Sequence, residues 1–145
     1  AGYATNPKYA SLLIDLIEKY NLDRFDEVSK QKKLFLSHSY GVPYLTGLGV
    51  YYISGKYIYI IEVNTSFVFS EVNIGCNYET LRKFYLGANF GWIYIPIQEN
   101  NLSPQIAGEL IYNTNSMLIR TGLQIPLHNI GYQMIPFLKL TYLIN

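Results

Sequence analysis

The chain has 145 residues, enough for one domain with its own core, and its formal net charge of +1 lacks the electrostatic footprint of a dedicated nonspecific nucleic-acid binder. Half of the residues are hydrophobic, only 14% are charged, and fifteen are tyrosine, an amphipathic ring that serves a core boundary or a contact surface. The single Cys76 excludes an internal disulfide framework.

No apolar run is long enough for a membrane-spanning helix, and no secretory signal is read at Ala1-Gly2. The expectation is therefore one domain over 1–145, cytoplasmic or intracellular, with no membrane contact. The abundance of Ile, Tyr and Asn suits an archaeal or viral source with a biased genome.

Thr5-Asn6-Pro7 is a cap followed by proline, a helix start. Tyr9, Leu12, Leu13, Leu16, Ile17 and Tyr20 recur at helical spacing after it, which predicts an amphipathic helix over 7–20. Asn21 to Lys33 is polar and reads as a loop or short helical extension; Lys30, Lys32 and Lys33 there form the main basic cluster, a solvated face. Leu34 to Leu36 starts a strand. His38 follows in an irregular connection and, without a histidine or cysteine at ligand spacing, reads as a surface polar group.

The stretch from Leu48 to Val63 organises the rest. Two β-branched and aromatic runs flank Ser54-Gly55-Lys56, the composition of a tight hairpin, so strands are expected over 44–53 and 56–63. Gly47 and Gly49 form a Gly-x-Gly with no helix after it, hence no dinucleotide fingerprint. Glu62 sits inside the apolar second run, where an unpaired charge is costly to bury. Side-chain alternation puts Asn64 on the same face.

After Asn77, a good N-cap, Tyr78, Leu81, Phe84, Tyr85 and Ala88 predict a second helix over 78–89. Phe90 to Ile97 reads as a strand. Ser103-Pro104 repeats the cap-then-proline signal, and Ile106, Leu110, Ile111, Met117 and Leu118 predict a third helix over 104–121. The tail from Leu123 to Ile144 suits one or two closing strands. The expected fold is a three-layer-type α/β sandwich around a central mixed sheet, in the order αβββαβαβ. Alternating, aromatic-rich segments also raise an outer-membrane barrel, against which the three helices argue.

That order, with Ile61-Glu62-Val63-Asn64 on the second hairpin strand, resembles the PD-(D/E)xK, or restriction-endonuclease-like, superfamily, which includes archaeal Holliday-junction resolvases. The resemblance implies a nuclease-like domain that binds or cleaves DNA or RNA, active or degenerate, with carboxylates holding Mg²⁺ when active. Carried over, it assigns Glu62, Asn64 and Lys83 to catalysis and Glu62 and Glu79 to the metal, with Arg82 and Glu18 as further candidates. The first strand lacks the family's acid, and Asn64 stands where the family has lysine. The alternative is a noncatalytic protein-binding or self-assembly domain, a homodimer or higher homo-oligomer, built on a tyrosine-rich surface.

Overall fold

A computed structural model describes residues 9–20, 32–96, 101–114, 116–128 and 133–144. They fall in two units, 1–31 and 32–145. Among its described residues the first carries one helix, α1, over Tyr9–Lys19; Pro7, the expected start, lies outside them. Most of the polar stretch over 21–33, Lys30 included, also lies outside them.

The second unit is a closed barrel of eight antiparallel strands in sequence order: β1 (Lys33–Val42), β2 (Thr46–Ser54), β3 (Tyr57–Thr65), β4 (Ser70–Leu81), β5 (Phe84–Tyr94), β6 (Leu102–Asn113), β7 (Met117–Pro126) and β8 (Ile135–Ile144). β8 returns to pair with β1, Leu36 opposite Ile144 and Val42 opposite Leu138, so the sheet keeps no edge. The connections differ at the two ends. At one end they are Gly55-Lys56, Arg82-Lys83 and 114–116; at the other they are 43–45, 66–69, 95–101 and 127–134. The hairpin expected around Ser54-Gly55-Lys56 is present, with Gly55 at φ 58° and Ser54 opposite Tyr57. Lys83, at φ 72°, turns the β4–β5 hairpin in the same way, next to a bulge between Glu79 and Leu81.

The barrel overturns the α/β sandwich and with it the nuclease-superfamily resemblance. Residues expected in the second helix form the end of β4, a tight turn and the start of β5, and those expected in the third form β6 and β7. Tyr78, Phe84, Leu86 and Ala88 share the outer face of a hairpin, while Asn77, Tyr85 and Asn89 point inward. A period of two interrupted by a two-residue turn thus mimicked a period of 3.6. Ser103-Pro104 begins no helix: Ser103 is fully buried in β6, where its hydroxyl accepts from the His128 N–H at 3.0 Å.

Burial alternates along every strand, but with the polarity of a soluble domain reversed over most of the barrel's height. In β3, Glu62 and Asn64 are buried while Ile61 and Val63 are exposed; in β4, Glu71, Asn73 and Asn77 are buried while Val72, Ile74 and Tyr78 are exposed. Apolar side chains fill the interior towards its two ends. Tyr51, Ile58, Ile60, Tyr85, Ile111 and Leu118 pack together towards the short turns, and Ile93, Ile95 and Ile135 towards the longer connections.

Inward glycines let the polar middle fit. A Cβ on Gly75 would run into the Asn89 amide, and one on Gly47 into Asn64 and Ser39. The Gly-x-Gly at 47–49 is therefore a clearance for inward side chains.

Candidate functional site

Two features of the barrel carry chemistry: a charged network in the lumen and an apolar outer wall. The network grows from side-chain alternation, which aims Glu62 of β3, Glu71 of β4, Glu109 of β6, Arg120 of β7 and Lys139 of β8 at the axis. Arg120 bridges two carboxylates. Its Nη1 donates to Glu62 Oε2 at 2.8 Å, and its Nε and Nη2 donate to Glu109 Oε2 at 3.0 and 2.8 Å. Lys139 Nζ donates to Glu71 Oε1 at 2.6 Å and Glu62 Oε2 at 3.2 Å.

Neutral donors complete the carboxylate shells. Glu71 also accepts from Asn64, Asn73, Gln105 and Gln124. Glu62 accepts from Ser39, Asn64 and the Tyr51 hydroxyl, and Arg120 Nη1 donates to that same hydroxyl. A buried charge held by this many partners avoids the penalty of an unpaired one. The amide oxygens of Asn73, Asn77, Asn89 and Gln105 have no donor among the described residues, so the lumen is richer in acceptors than in donors.

The five charged side chains of the lumen are buried. The gap bounded by Asn73, Gln105, Arg120, Gln124 and Lys139 leaves no room for a water molecule. Near the longer connections Tyr44 covers Lys139, whose Nζ lies 4.8 Å from the ring centre, and donates its hydroxyl to Gln124 Oε1 at 3.0 Å. Burial, reinforced by the nearby Glu71 carboxylate, pushes the Tyr44 phenol up and keeps it a donor.

The residues assigned to a nuclease site are only partly brought together. Glu62 and Asn64 share the lumenal face, and the Asn64 amide donates to Glu62 Oε2 at 2.9 Å. Glu79 is elsewhere, six positions along β4 from Asn73, which faces Glu62 across the ladder, or roughly 20 Å at strand rise. Its Oε1 accepts the backbone N–H of Lys83 at 3.1 Å, at the short-turn end beside Arg82. Glu18 lies on α1, in the other unit. Among the described residues no three of His, Cys, Asp and Glu gather to hold a metal. Sequence reasoning singled out Glu62 and missed Glu71, Glu109, Arg120 and Lys139; the signal for them was a charge recurring in strand-like apolar surroundings. His38, read as a surface group, points outward and bonds to Thr46 at 2.8 Å and the Tyr40 hydroxyl at 3.1 Å.

The outer wall is the second feature. Every charged residue within the strands is lumenal or lies at a strand end, so the outward positions between carry no Asp, Glu, Lys or Arg. The middle of the wall is largely aliphatic: Leu36, Val50, Ile61, Ile74, Leu86 and Leu110 are exposed on β1 to β6, and Leu123 and Leu138 on β7 and β8, with His38 of β1 and Thr121 of β7 as outward polar residues among them. Aromatic rings border this band at both ends. Towards the short turns Tyr57 lies 6.1 Å from Tyr59 and 5.2 Å from Tyr78, Tyr52 lies 6.1 Å from Tyr59, and Phe84 packs at 4.8 Å on Tyr112. Towards the longer connections stand Tyr40, Tyr94 and the pair Phe90–Trp92, with ring centres 5.1 Å apart.

This wall corrects three further expectations. A barrel whose interior charges are buried and paired with one another supports no nuclease function. An uncharged, apolar circumference is no nucleic-acid surface, so DNA or RNA as partner falls. The same wall overturns the cytoplasmic, membrane-free location, because an exposed apolar area on this scale marks an interaction with a membrane or another apolar surface. No helix among the described residues is long and apolar enough to cross a membrane, a statement that does not bear on strands.

No family model and no curated protein matches the chain. Among solved structures it is similar to a chain described under "De novo design of transmembrane beta-barrels", at 14% identity and a TM-score of 0.48, over 79% of this chain and 97% of that one.

Proposed function

We propose that residues 32–144 form a membrane-spanning β-barrel with a sealed lumen, a noncatalytic anchor whose tyrosine-rich surface contacts lipid. One observation carries this reading: between the strand ends every charge points inside, and the outward positions are predominantly apolar all the way round. A protein partner would cover one sector of the wall, whereas hydrocarbon surrounds all eight strands. Strands of 9 to 12 residues suit the length needed to cross a bilayer at a tilt. Barrel closure satisfies every strand edge, the condition for strands in lipid. Aromatic belts at both borders place amphipathic rings at the headgroup level.

The buried network across the interior makes the barrel an anchor rather than a pore. In phospholipid vesicles the full chain is expected to fold to a form that migrates differently on an SDS gel with and without boiling, resists protease along the strands and conducts no ions across a planar bilayer. A chain that stays folded, monomeric and dispersed in buffer without detergent or lipid refutes the proposal.

A further inference from the structure

Among the described residues, the two rims of the barrel carry different charge. At the short-turn end Lys32 and Lys33 lead into β1, Lys56 sits in the β2–β3 turn, and Arg82 and Lys83 make the β4–β5 turn. Among the described residues Glu79 is the one carboxylate there, and it is engaged by the Lys83 backbone N–H. None of the five cations forms an ion pair with a described residue; the barrel's salt bridges all belong to Arg120 and Lys139. At the opposite rim the described connecting residues include no Asp, Glu, Lys or Arg.

The cations also occupy one sector. They lie on the β1 to β5 side, and the clustered tyrosines Tyr52, Tyr57, Tyr59 and Tyr78 stand directly above them on β2 to β4. Turns two strands apart are separated by roughly 10 Å, about one lipid headgroup each. Clustered phenols fix the depth of the wall at the interface, which sets the cations just outside the hydrocarbon, where lipid phosphates lie.

We propose that this rim is a binding surface for anionic phospholipid headgroups, with Lys56, Arg82 and Lys83 at its centre and Lys32 and Lys33 extending it. The proposal rests on the membrane reading above. Lysine and arginine beside a tyrosine belt attract the phosphates of the facing leaflet and favour anionic over zwitterionic lipid by about five-fold for a headgroup held by one cation.

The test reconstitutes the full chain in phosphatidylcholine vesicles carrying a trace of spin-labelled phosphatidylglycerol or spin-labelled phosphatidylcholine, and compares how much of each label the barrel immobilises. Wild type is expected to favour the phosphatidylglycerol label several-fold at low salt, with the preference screened out near 1 M salt. The K56Q/R82Q/K83Q variant is expected to drop to near parity, and K56R/R82K/K83R to keep the preference. An inserted wild type with no preference, or a Gln variant that retains it, overturns the headgroup site and leaves the membrane barrel standing. A wild type that does not insert into either vesicle removes both.

Discussion

Ile61 stands at the middle of β3, four residues from either end, with its side chain outward and 59% exposed. Replacing it with arginine separates a lipid-facing wall from a water-facing one. In water, a surface substitution at such a site changes stability by no more than about 0.5 kcal/mol. In a bilayer the guanidinium sits near the midplane, and a charged residue on the lipid face there costs about 2–4 kcal/mol. At Tyr57, at the short-turn border of the same strand and face, the same substitution costs only about 0–1 kcal/mol, because the cation reaches the headgroups. The assay is reversible unfolding in guanidinium with vesicles present, scored by the shift in midpoint at constant slope so that the difference reads as stability. A cost below about 0.5 kcal/mol for Ile61→Arg, or equal costs at Ile61 and Tyr57, would refute a lipid-facing wall.

Three further predictions concern the interior and the wall. Arg120→Met leaves Glu109 without a cation and Glu62 with Lys139 alone, and is expected to destabilise the barrel by about 3–5 kcal/mol in the same titration, because a buried carboxylate loses its partner; a loss under 1 kcal/mol would show that the network is hydrated. Gly75→Ala puts a methyl group into the Asn89 amide and is expected to cost about 1–3 kcal/mol, with most of the loss recovered in Gly75→Ala/Asn89→Ala; equal stabilities of the single and double variants would reject the clearance argument. Cys76, outward and exposed on β4, is expected to react with a charged, water-soluble maleimide far more slowly in vesicles than in guanidinium, since the charged reagent does not enter the hydrocarbon; equal rates would place it in water.

The lumenal site was legible only at two neighbouring residues of one strand. Glu62 drew attention because it interrupts an apolar run, and Asn64 was placed on its face by the two-residue period alone. Their partners come from 7 to 77 residues away along the chain, Glu71 from the next strand and Arg120 and Lys139 from the last two strands, as in the bonds Asn64–Glu71, Glu62–Arg120 and Glu62–Lys139. Arg120 was read within a helix and Lys139 within a closing strand, so neither pointed to Glu62. Tyrosine abundance, read as a contact surface or a core boundary, is now divided: Tyr44, Tyr51 and Tyr85 lie inside, and Tyr57, Tyr59 and Tyr78 stand on the wall.

The sequence by itself determined the local elements whose chemistry is short-range. The periodic apolar face of α1 and the β-branched runs around Gly55 specify a helix and a hairpin without help from distant residues. Glu71-Val72-Asn73-Ile74 and Ile61-Glu62-Val63-Asn64 likewise specify one polar and one apolar face by alternation. Alternation is symmetric, however, and does not say which face is inside; a soluble sandwich would bury Ile61, Val63, Val72 and Ile74. Tertiary structure decided that. β8 paired with β1, closure left a lumen too narrow for a second sheet, and the charges of Glu62, Glu71, Glu109, Arg120 and Lys139 found one another there, which turned the apolar faces outward.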